Sequence, residues 1–154
     1  MAENPHILIV EARFYEDIAD QLVEGAIAVL EESGCTYERV AVPGAFETPA
    51  VVRMAIRSLE FYSGDRRFDG YVILGCVIRG ETSHYDYVCS ESARKLQDLA
   101  CDYSLALGYG ILTCENRDQA WARADVKGKN KGGEVARACL EMLKVKRRFH
   151  LFPR

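Results

Sequence analysis

Short apolar runs alternate with amphipathic segments along the chain, and this alternation predicts its secondary structure. Four runs have the length and the β-branched content of strands, at residues 6–12, 36–42, 68–78 and 106–114. The run at 68–78 is apolar at almost every position, which is typical of a strand that is covered on both faces. The intervening patterns predict helices at residues 16–34, 49–62, 84–104, 115–124 and 134–146, with a basic loop at 125–133.

The helical periodicity also predicts which side chains face inward. In the first helix they are Ile18, Leu22, Ala26, Val29 and Leu30, and the helix stops at Gly34. In the helix at 84–104 they are Tyr87, Val88, Ala93, Leu96 and Ala100. Thr48 and Pro49 mark the start of the second helix, because threonine is a common N-cap and proline fits the first turn.

Strands and helices that alternate strictly imply a parallel sheet with helices on both faces. Right-handed crossovers leave few strand orders, of which we choose 2-1-3-4. The sequence therefore predicts an α/β protein, a flavodoxin-like three-layer α/β/α sandwich around a four-stranded parallel sheet. No internal repeat, low-complexity tract or second domain is visible, so residues 1–154 are predicted to form a single domain.

Composition narrows the classes of partner. The formal net charge is −3, without the basic bias that nucleic-acid binding through a broad positive face requires. No apolar run approaches membrane-spanning length, and the apolar start at residues 6–14 is too short and too charged for a signal peptide. The six cysteines lack metal-ligand spacing and are interpreted as small buried hydrophobes in a reducing cytosol. We therefore expect a cytoplasmic protein with no metal, nucleic-acid or membrane partner.

Unusual residues follow each predicted strand, and ligands of open parallel sheets bind beyond the carboxyl ends of the strands. The four exits are residues 12–15, 43–47, 79–84 and 113–115. Phe14 and Phe46 stand in the first two exits, and loops rarely need exposed phenylalanines. We expect the first three exits to meet around one cleft.

The exit of the third strand combines a glycine, hydroxyls, charges and a histidine. Gly80 lets the backbone approach a ligand, and the amides of Glu81 and Thr82 at a helix start form an anion site. Alternatively, Thr82 or Ser83 only caps the helix. His84 falls in the first helical turn, where the helix dipole favours the neutral imidazole and so suits proton transfer; the alternative is a plain surface histidine.

Each of the other candidate site residues also allows both a ligand-binding and a purely structural interpretation. Glu47 follows a tight turn and can accept hydrogen bonds from vicinal hydroxyls, or it is simply solvated. Phe14 can stack on a flat heterocycle, or it closes the end of the sheet as a core aromatic. Arg123 precedes the basic loop and can be aimed at an anion, whereas most lysines of that loop are interpreted as solvated.

Six motifs occur in order across nearly the whole chain: ARF (12–14), VPGAFETP (42–49), GCVIRGETSHYDYV (75–88), GILT (110–113), QAWARA (119–124) and NKGGE (130–134). Together they resemble the lumazine synthases (6,7-dimethyl-8-ribityllumazine synthase), the penultimate enzymes of riboflavin biosynthesis. The resemblance implies a flavodoxin-like fold and the condensation of 5-amino-6-(D-ribitylamino)uracil with 3,4-dihydroxy-2-butanone 4-phosphate. The products are the lumazine, phosphate and water, and no cofactor or metal takes part.

The resemblance also implies roles for individual residues. The ribityl pyrimidine is bound by Phe14, Ala45, Phe46, Glu47, Val77, Ile78, Tyr109 and Lys131, with Phe14 stacked on the ring, Glu47 on the ribityl hydroxyls and Tyr109 supplied by a neighbouring subunit. The phosphate is bound by Glu81 and Thr82 with Arg123 as the cationic partner, and His84 transfers protons. Tyr15 departs from the family pattern, because many members have asparagine there.

The family places its active sites between the subunits of a pentamer, so a homopentamer is expected, with a shell of sixty chains as the alternative. Members that form shells often have Gly-Thr-Lys-Ala-Gly before the last helix. Here Asp125 and Lys129 replace the two glycines, which would strain the loop if either position needs a positive φ.

Two other functions are alternatives to this assignment. A flavin- or lumazine-binding protein with little turnover would need neither His84 nor Arg123. A phosphoacceptor receiver domain would need an acidic cluster after the first strand, where the chain offers only Glu11.

Overall fold

Strands and helices alternate along the chain, as the apolar pattern predicts. The computed structural model describes residues 4–61 and 68–151. Its strands are β1 (His6–Ala12), β2 (Thr36–Val42), β3 (Gly70–Ile78) and β4 (Leu107–Cys114), and its helices are α1 (Glu16–Glu32), α2 (Thr48–Phe61), α3 (His84–Tyr103), α4 (Arg117–Ala124) and α5 (Lys131–Arg148). A 3₁₀ turn at Ala45–Glu47 precedes α2 and was not predicted. Tyr62, the last residue of the predicted second helix, lies outside the described residues.

The four strands form one parallel sheet in the order β2-β1-β3-β4, which confirms the predicted α/β class and strand order. Side chains from the two faces of β1, β3 and β4 supply two separate cores. Ile7, Ile9 and Val72 belong to the core beneath α1, α4 and α5. Leu8 and Ile73 belong to the core beneath α2 and α3. Helices on both faces explain why β1 and most of β3 are apolar at nearly every position.

The inward face of α1 is the predicted one, since Ile18, Leu22, Ala26, Val29 and Leu30 are all buried. The prediction for α3 is partly wrong. Tyr87 is 66% exposed, whereas Val88 and Leu96 are buried together with Ser92 and Leu99. The inner stripe of α3 follows a spacing of three or four residues from Val88, and Tyr87 lies one position, about 100° of helix, away from it.

The last helix begins earlier than predicted, at Lys131 instead of residue 134, and continues to Arg148. Asn130 caps it with a side chain that accepts from the Gly133 amide. Gly132 sits in the first turn because α5 packs closely on α1: a Cβ there would lie 2.0 Å from the Leu22 carbonyl oxygen. Gly132 therefore allows close helix packing, and Gly133 leaves room for the capping side chain of Asn130, although both glycines are typical of a loop in sequence.

The loop before α5 is not strained at the two positions where family members that form shells often have glycine. Asp125 has φ −52°, and Lys129 is not among the residues with positive φ. Neither position needs a glycine, so the two replacements do not strain the loop, and this loop gives no reason against a shell of sixty chains.

Within residues 4–61 and 68–151, none of the helices combines the length and the apolar character that a membrane span requires.

A buried carboxylate joins β1 to β2 just before the strands end. Glu11 is 3% exposed, and its oxygens accept hydrogen bonds from Nε and Nη2 of Arg39, both at 2.8 Å. Arg13 adds a third hydrogen bond at 2.7 Å and also pairs with Asp20. Burial opposes ionisation of Glu11, but the hydrogen bonds and charges of Arg39 and Arg13 outweigh it and hold its pKa below the ordinary value of 4.5. The pairing fixes the chain next to Phe14.

We expect Glu11→Gln to lower the free energy of unfolding at pH 7 by about 2–3 kcal/mol, because it leaves two arginines without their shared carboxylate. The stability that comes from the lowered pKa is complete above pH 4.5 and is lost as the pH falls through the lower folded value. The difference between wild type and variant should therefore shrink below pH 4.5 in urea titrations. Glu32→Gln, at an exposed position, should stay within about 0.5 kcal/mol of the wild type. A difference that is constant with pH would contradict the ionic account.

Candidate active site

The carboxyl ends of β1, β2 and β3 surround a cavity of about 550 Å³. Its walls are the three loops that leave these strands, so the predicted meeting of the first three exits is confirmed. The lining residues are Phe14, Tyr15, Pro43, Gly44, Ala45, Phe46, Glu47, Cys76, Val77, Ile78, Gly80, Thr82, His84, Tyr85 and Val88. Most of the site residues expected from the sequence are therefore brought together.

The first wall is a pair of aromatic rings. Phe14 is 73% exposed, and its ring meets Tyr15 edge to face, with 4.9 Å between centroids and 75° between planes. Tyr15 is half-buried against the core beneath α1, and burial raises its pKa. Phe14 thus presents its ring to the cavity and does not close the sheet end as a core aromatic.

The second wall is the 3₁₀ turn that joins β2 to α2. Ala45 is buried and anchors the turn, whereas Phe46 and Glu47 are exposed. Thr48 is fully buried as the first residue of α2, and its hydroxyl donates to the Ala45 carbonyl at 2.8 Å. The prediction that Thr48 is the N-cap is therefore wrong: its backbone is already helical, with φ −66° and ψ −40°, and its hydroxyl fixes the preceding turn instead. A Cβ on Gly44 would lie 3.3 Å from Oε1 of Glu47, so the glycine gives this carboxylate room over the turn.

The third wall is the loop between β3 and α3. A Cβ on Gly80 would meet nothing within 4 Å, which leaves the backbone open to a ligand. Oγ1 of Thr82 accepts from the His84 amide at 3.3 Å, whereas Ser83 makes no side-chain cap. The Thr82 hydroxyl therefore takes part in the helix start. His84 is exposed in the first turn of α3 and is the one imidazole that lines the cavity among the described residues.

Arg79 ties this loop to its surroundings. Its Nε donates to Glu115 at 2.8 Å, its Nη1 donates to Asp86 at 3.3 Å, and its guanidinium lies 4.2 Å from the ring centroid of Tyr85. Each exposed ion pair adds little free energy. Together they join the loop to the end of β4 and the first turn of α3.

Cys76 contributes a thiol to the cavity wall. Burial, helped by the neighbouring Cys114, raises its pKa to about 12. The thiol is therefore neutral near pH 7 and does not serve as a thiolate nucleophile. No cluster of three or more potential metal ligands occurs among residues 4–61 and 68–151.

Sequence reasoning missed several lining residues. Val88 follows His84 by four positions, so helical spacing could have placed both on one face. Tyr15 was noted only as a departure from a motif, and Tyr85 and Cys76 lay inside a recognised motif without a role. Pro43 fits an ordinary turn residue and gave no signal.

Some expected site residues lie away from the cavity of their own chain. Glu81 is exposed beside Thr82 without lining it. Tyr109 is 39% exposed on β4, opposite Ile73 in the register. Nη1 of Arg123 donates to the Gln119 carbonyl at 3.0 Å in α4, and Lys131 pairs with Glu134 at 2.9 Å in α5. Tyr109 lies on the edge strand β4, and Arg123 and Lys131 lie on the two helices that follow it, α4 and α5.

The arrangement can hold an elongated polar ligand with a flat ring. An exposed aromatic face suits the ring, Glu47 suits hydroxyl groups, and the loop after β3 suits an anion. His84 stands beside that loop, where an imidazole can give or take protons near neutral pH.

Known proteins of one family resemble this chain along nearly its whole length. The family model described as 6,7-dimethyl-8-ribityllumazine synthase matches residues 4–147. The chain is 54% identical over 145 residues to the 6,7-dimethyl-8-ribityllumazine synthase of Agrobacterium fabrum (strain C58), covering 94% of this chain and 97% of that protein. It is 55% identical over 143 residues to 6,7-dimethyl-8-ribityllumazine synthase 1 of Rhizobium meliloti (strain 1021), covering 93% and 92%. It is 51% identical over 146 residues to the protein of that name from Bartonella bacilliformis, covering 95% and 93%.

Proposed function

The chain belongs to the 6,7-dimethyl-8-ribityllumazine synthase family, and we propose that its active site is built on the cavity at the carboxyl ends of β1, β2 and β3. The protein is a transferase that condenses 5-amino-6-(D-ribitylamino)uracil with 3,4-dihydroxy-2-butanone 4-phosphate, which is the penultimate step of riboflavin biosynthesis. The observation that carries the assignment of the site is that Phe14, Glu47 and His84, from three strand exits, line one cavity.

The ribityl pyrimidine occupies the side formed by the first two walls. Phe14 stacks on the ring, and Glu47 accepts hydrogen bonds from the ribityl hydroxyls, helped by the turn at Ala45 and Phe46. The backbone of Val77 and Ile78, at the end of β3, reads the uracil edge. The exposure of Phe14 and Glu47 supports these roles, since both can reach a ligand.

The phosphate ester occupies the loop between β3 and α3. Glu81 and Thr82 form the phosphate loop, whose open backbone at Gly80 supports close approach of an anion. Arg123 supplies the positive charge. Arg123 does not line the cavity of its own chain, which supports the proposal that a neighbouring chain supplies it.

Chains therefore share their active sites in a homopentamer. Tyr109, Arg123 and Lys131 come from the neighbouring subunit, which is supported by their position on the edge strand β4 and the helices after it. A shell of sixty chains would contain the same pairs of neighbours. We also propose that residues 1–154 form a single domain, which one family match over residues 4–147 supports. The proposed place of action is the cytoplasm.

The reaction starts when the amine attacks the ketone to give a carbinolamine and then, with loss of water, an imine. Phosphate is eliminated, and the ring closes with loss of water. Holding both substrates in one cavity removes much of the entropic barrier. His84 moves protons between the nitrogen and the departing oxygens, which adds a smaller factor.

We expect His84→Ala to slow lumazine formation at least about tenfold, because proton transfer then depends on water. The measurement is lumazine fluorescence in a single turnover with both substrates saturating. His150→Asn is the matched control, since this exposed histidine has φ 62° and asparagine tolerates that backbone. An unchanged rate for His84→Ala would remove the histidine from the mechanism, and no lumazine from the wild type would overturn the activity itself.

We expect Arg123→Ala to raise the KM for the butanone phosphate about tenfold or more, since a charge-assisted contact to the phosphate is lost. The Kd of the ribityl pyrimidine, measured by calorimetry, should change less than about twofold. Lys129→Ala removes an exposed cation from the nearby loop and should change neither value. Equal losses for both ligands would show that Arg123 only supports the structure.

Assembly is tested by mass and by complementation. A homopentamer of 17.3 kDa chains should have a mass of about 87 kDa in solution, whereas a particle near one megadalton would show the shell and a monomer would exclude shared sites. Co-expressed His84→Ala and Arg123→Ala chains should regain up to about a quarter of the wild-type activity, because one neighbouring pair in four then unites an intact His84 with an intact Arg123. No recovery in a well-formed mixed oligomer would place both residues in the same chain's site.

A further inference from the structure

Tyr15 lines the cavity, although the sequence gave it no part in the reaction. We propose that Tyr15 is a positioning residue that holds the ring of Phe14 in the orientation that stacks on the pyrimidine. The inference rests on the proposed stacking role of Phe14. It assigns to Tyr15 a task that the smaller, non-aromatic asparagine of many family members cannot perform in the same way.

Phe14 needs such a restraint. Its side chain is 73% exposed, and the ring contact that the structure gives it is the edge-to-face pair with Tyr15. The backbone just before it is fixed, because the Arg13 amide donates to the Val42 carbonyl at 3.0 Å. The remaining freedom is in the side chain, and an exposed ring that must be ordered on binding weakens the affinity for its ligand.

Tyr15 is itself held from two sides. It packs on the core beneath α1, and its carbonyl accepts from the Ala19 amide at 2.9 Å, where the helix begins. On the outer side, the guanidinium of Arg117 lies 5.9 Å from its ring centroid. Arg117 forms an ion pair with Asp17 in the first turn of α1. The ring of Tyr15 is thus held between the core beneath α1 and Arg117 of α4, and it remains free to contact Phe14.

The restraint acts through ring contact and not through the hydroxyl. An edge-to-face pair contributes a modest free energy beyond area burial, enough to favour one orientation of Phe14 several-fold over the others. Tyr15→Phe keeps the ring and should preserve the effect. Tyr15→Leu keeps the apolar bulk against the core but removes the aromatic ring that pairs with Phe14.

The test measures the KM for each substrate and kcat in Tyr15→Leu, Tyr15→Phe, Phe14→Ala and the double variant Phe14→Ala/Tyr15→Leu. We expect Tyr15→Leu to raise the KM for the ribityl pyrimidine about three- to tenfold and the KM for the butanone phosphate less than about twofold. Tyr15→Phe should stay within about twofold of the wild type. In the Phe14→Ala background, Tyr15→Leu should have almost no further effect, because the ring that it positions is gone.

Several outcomes would overturn the proposal. Independent, multiplying losses in the double variant would show that Tyr15 does not act through Phe14. A loss in Tyr15→Phe equal to that in Tyr15→Leu would show a direct hydroxyl contact with the ligand, and equal rises in both KM values would show a general structural role. If Phe14→Ala alone leaves pyrimidine binding unchanged, the stacking role of Phe14 fails first, which separates that failure from the failure of Tyr15.

A second variant covers the case in which Tyr15→Leu does not fold. Arg117→Met removes the cation outside the ring and leaves the packing beneath it. We expect a rise of about twofold to threefold in the KM for the ribityl pyrimidine, which should vanish in the Phe14→Ala background. The same rise in both backgrounds would contradict the chain of contacts from Arg117 through Tyr15 to Phe14.

Discussion

The parallel hydrogen-bonded pairing of the strands is the constraint on which the site depends. Because all four strands run in one direction, their carboxyl ends lie at the same edge, and the loops after β1, β2 and β3 are forced to meet there. Glu11 reinforces this edge from below, because it binds Arg13 of the loop after β1 and Arg39 of β2. The buried ion pairs cost desolvation, but they tie β1 to β2 and hold the chain next to Phe14.

The cavity combines a rigid floor with exposed working groups. The ends of the buried strands form its floor, which includes the thiol of Cys76, neutral because of its raised pKa. Phe14, Glu47 and His84 stand above it and are exposed, so each depends on neighbours for its orientation. Thr48 fixes the turn before Glu47, Arg79 fixes the loop before His84, and Tyr15 borders Phe14. The supporting residues come from elements that hold the two helical layers in place.

The errors in the sequence interpretation have a common origin. Gly132 looks like a loop residue because glycine is a poor helix former, but close packing on Leu22 outweighs this preference. Tyr87 fits an apolar stripe by type, yet the actual stripe of α3 lies one residue further on. In each case the side chain alone does not show which neighbour it meets.

Apolar periodicity and ordered motifs are local in the chain, and they were enough to predict the strands, the family and most of the residues around the cavity. The strand order was chosen from the few that remained, and the distant residues that support the site became known from the packed structure alone. Arg79 donates a hydrogen bond to Glu115, which is 36 positions further along the chain. Arg117 of α4 contacts the ring of Tyr15 and pairs with Asp17 of α1. The tertiary structure also decided that Tyr109, Arg123 and Lys131 lie outside their own chain's cavity. Such pairings depend on how layers pack against one another, and spacing along a single chain carries no record of that geometry.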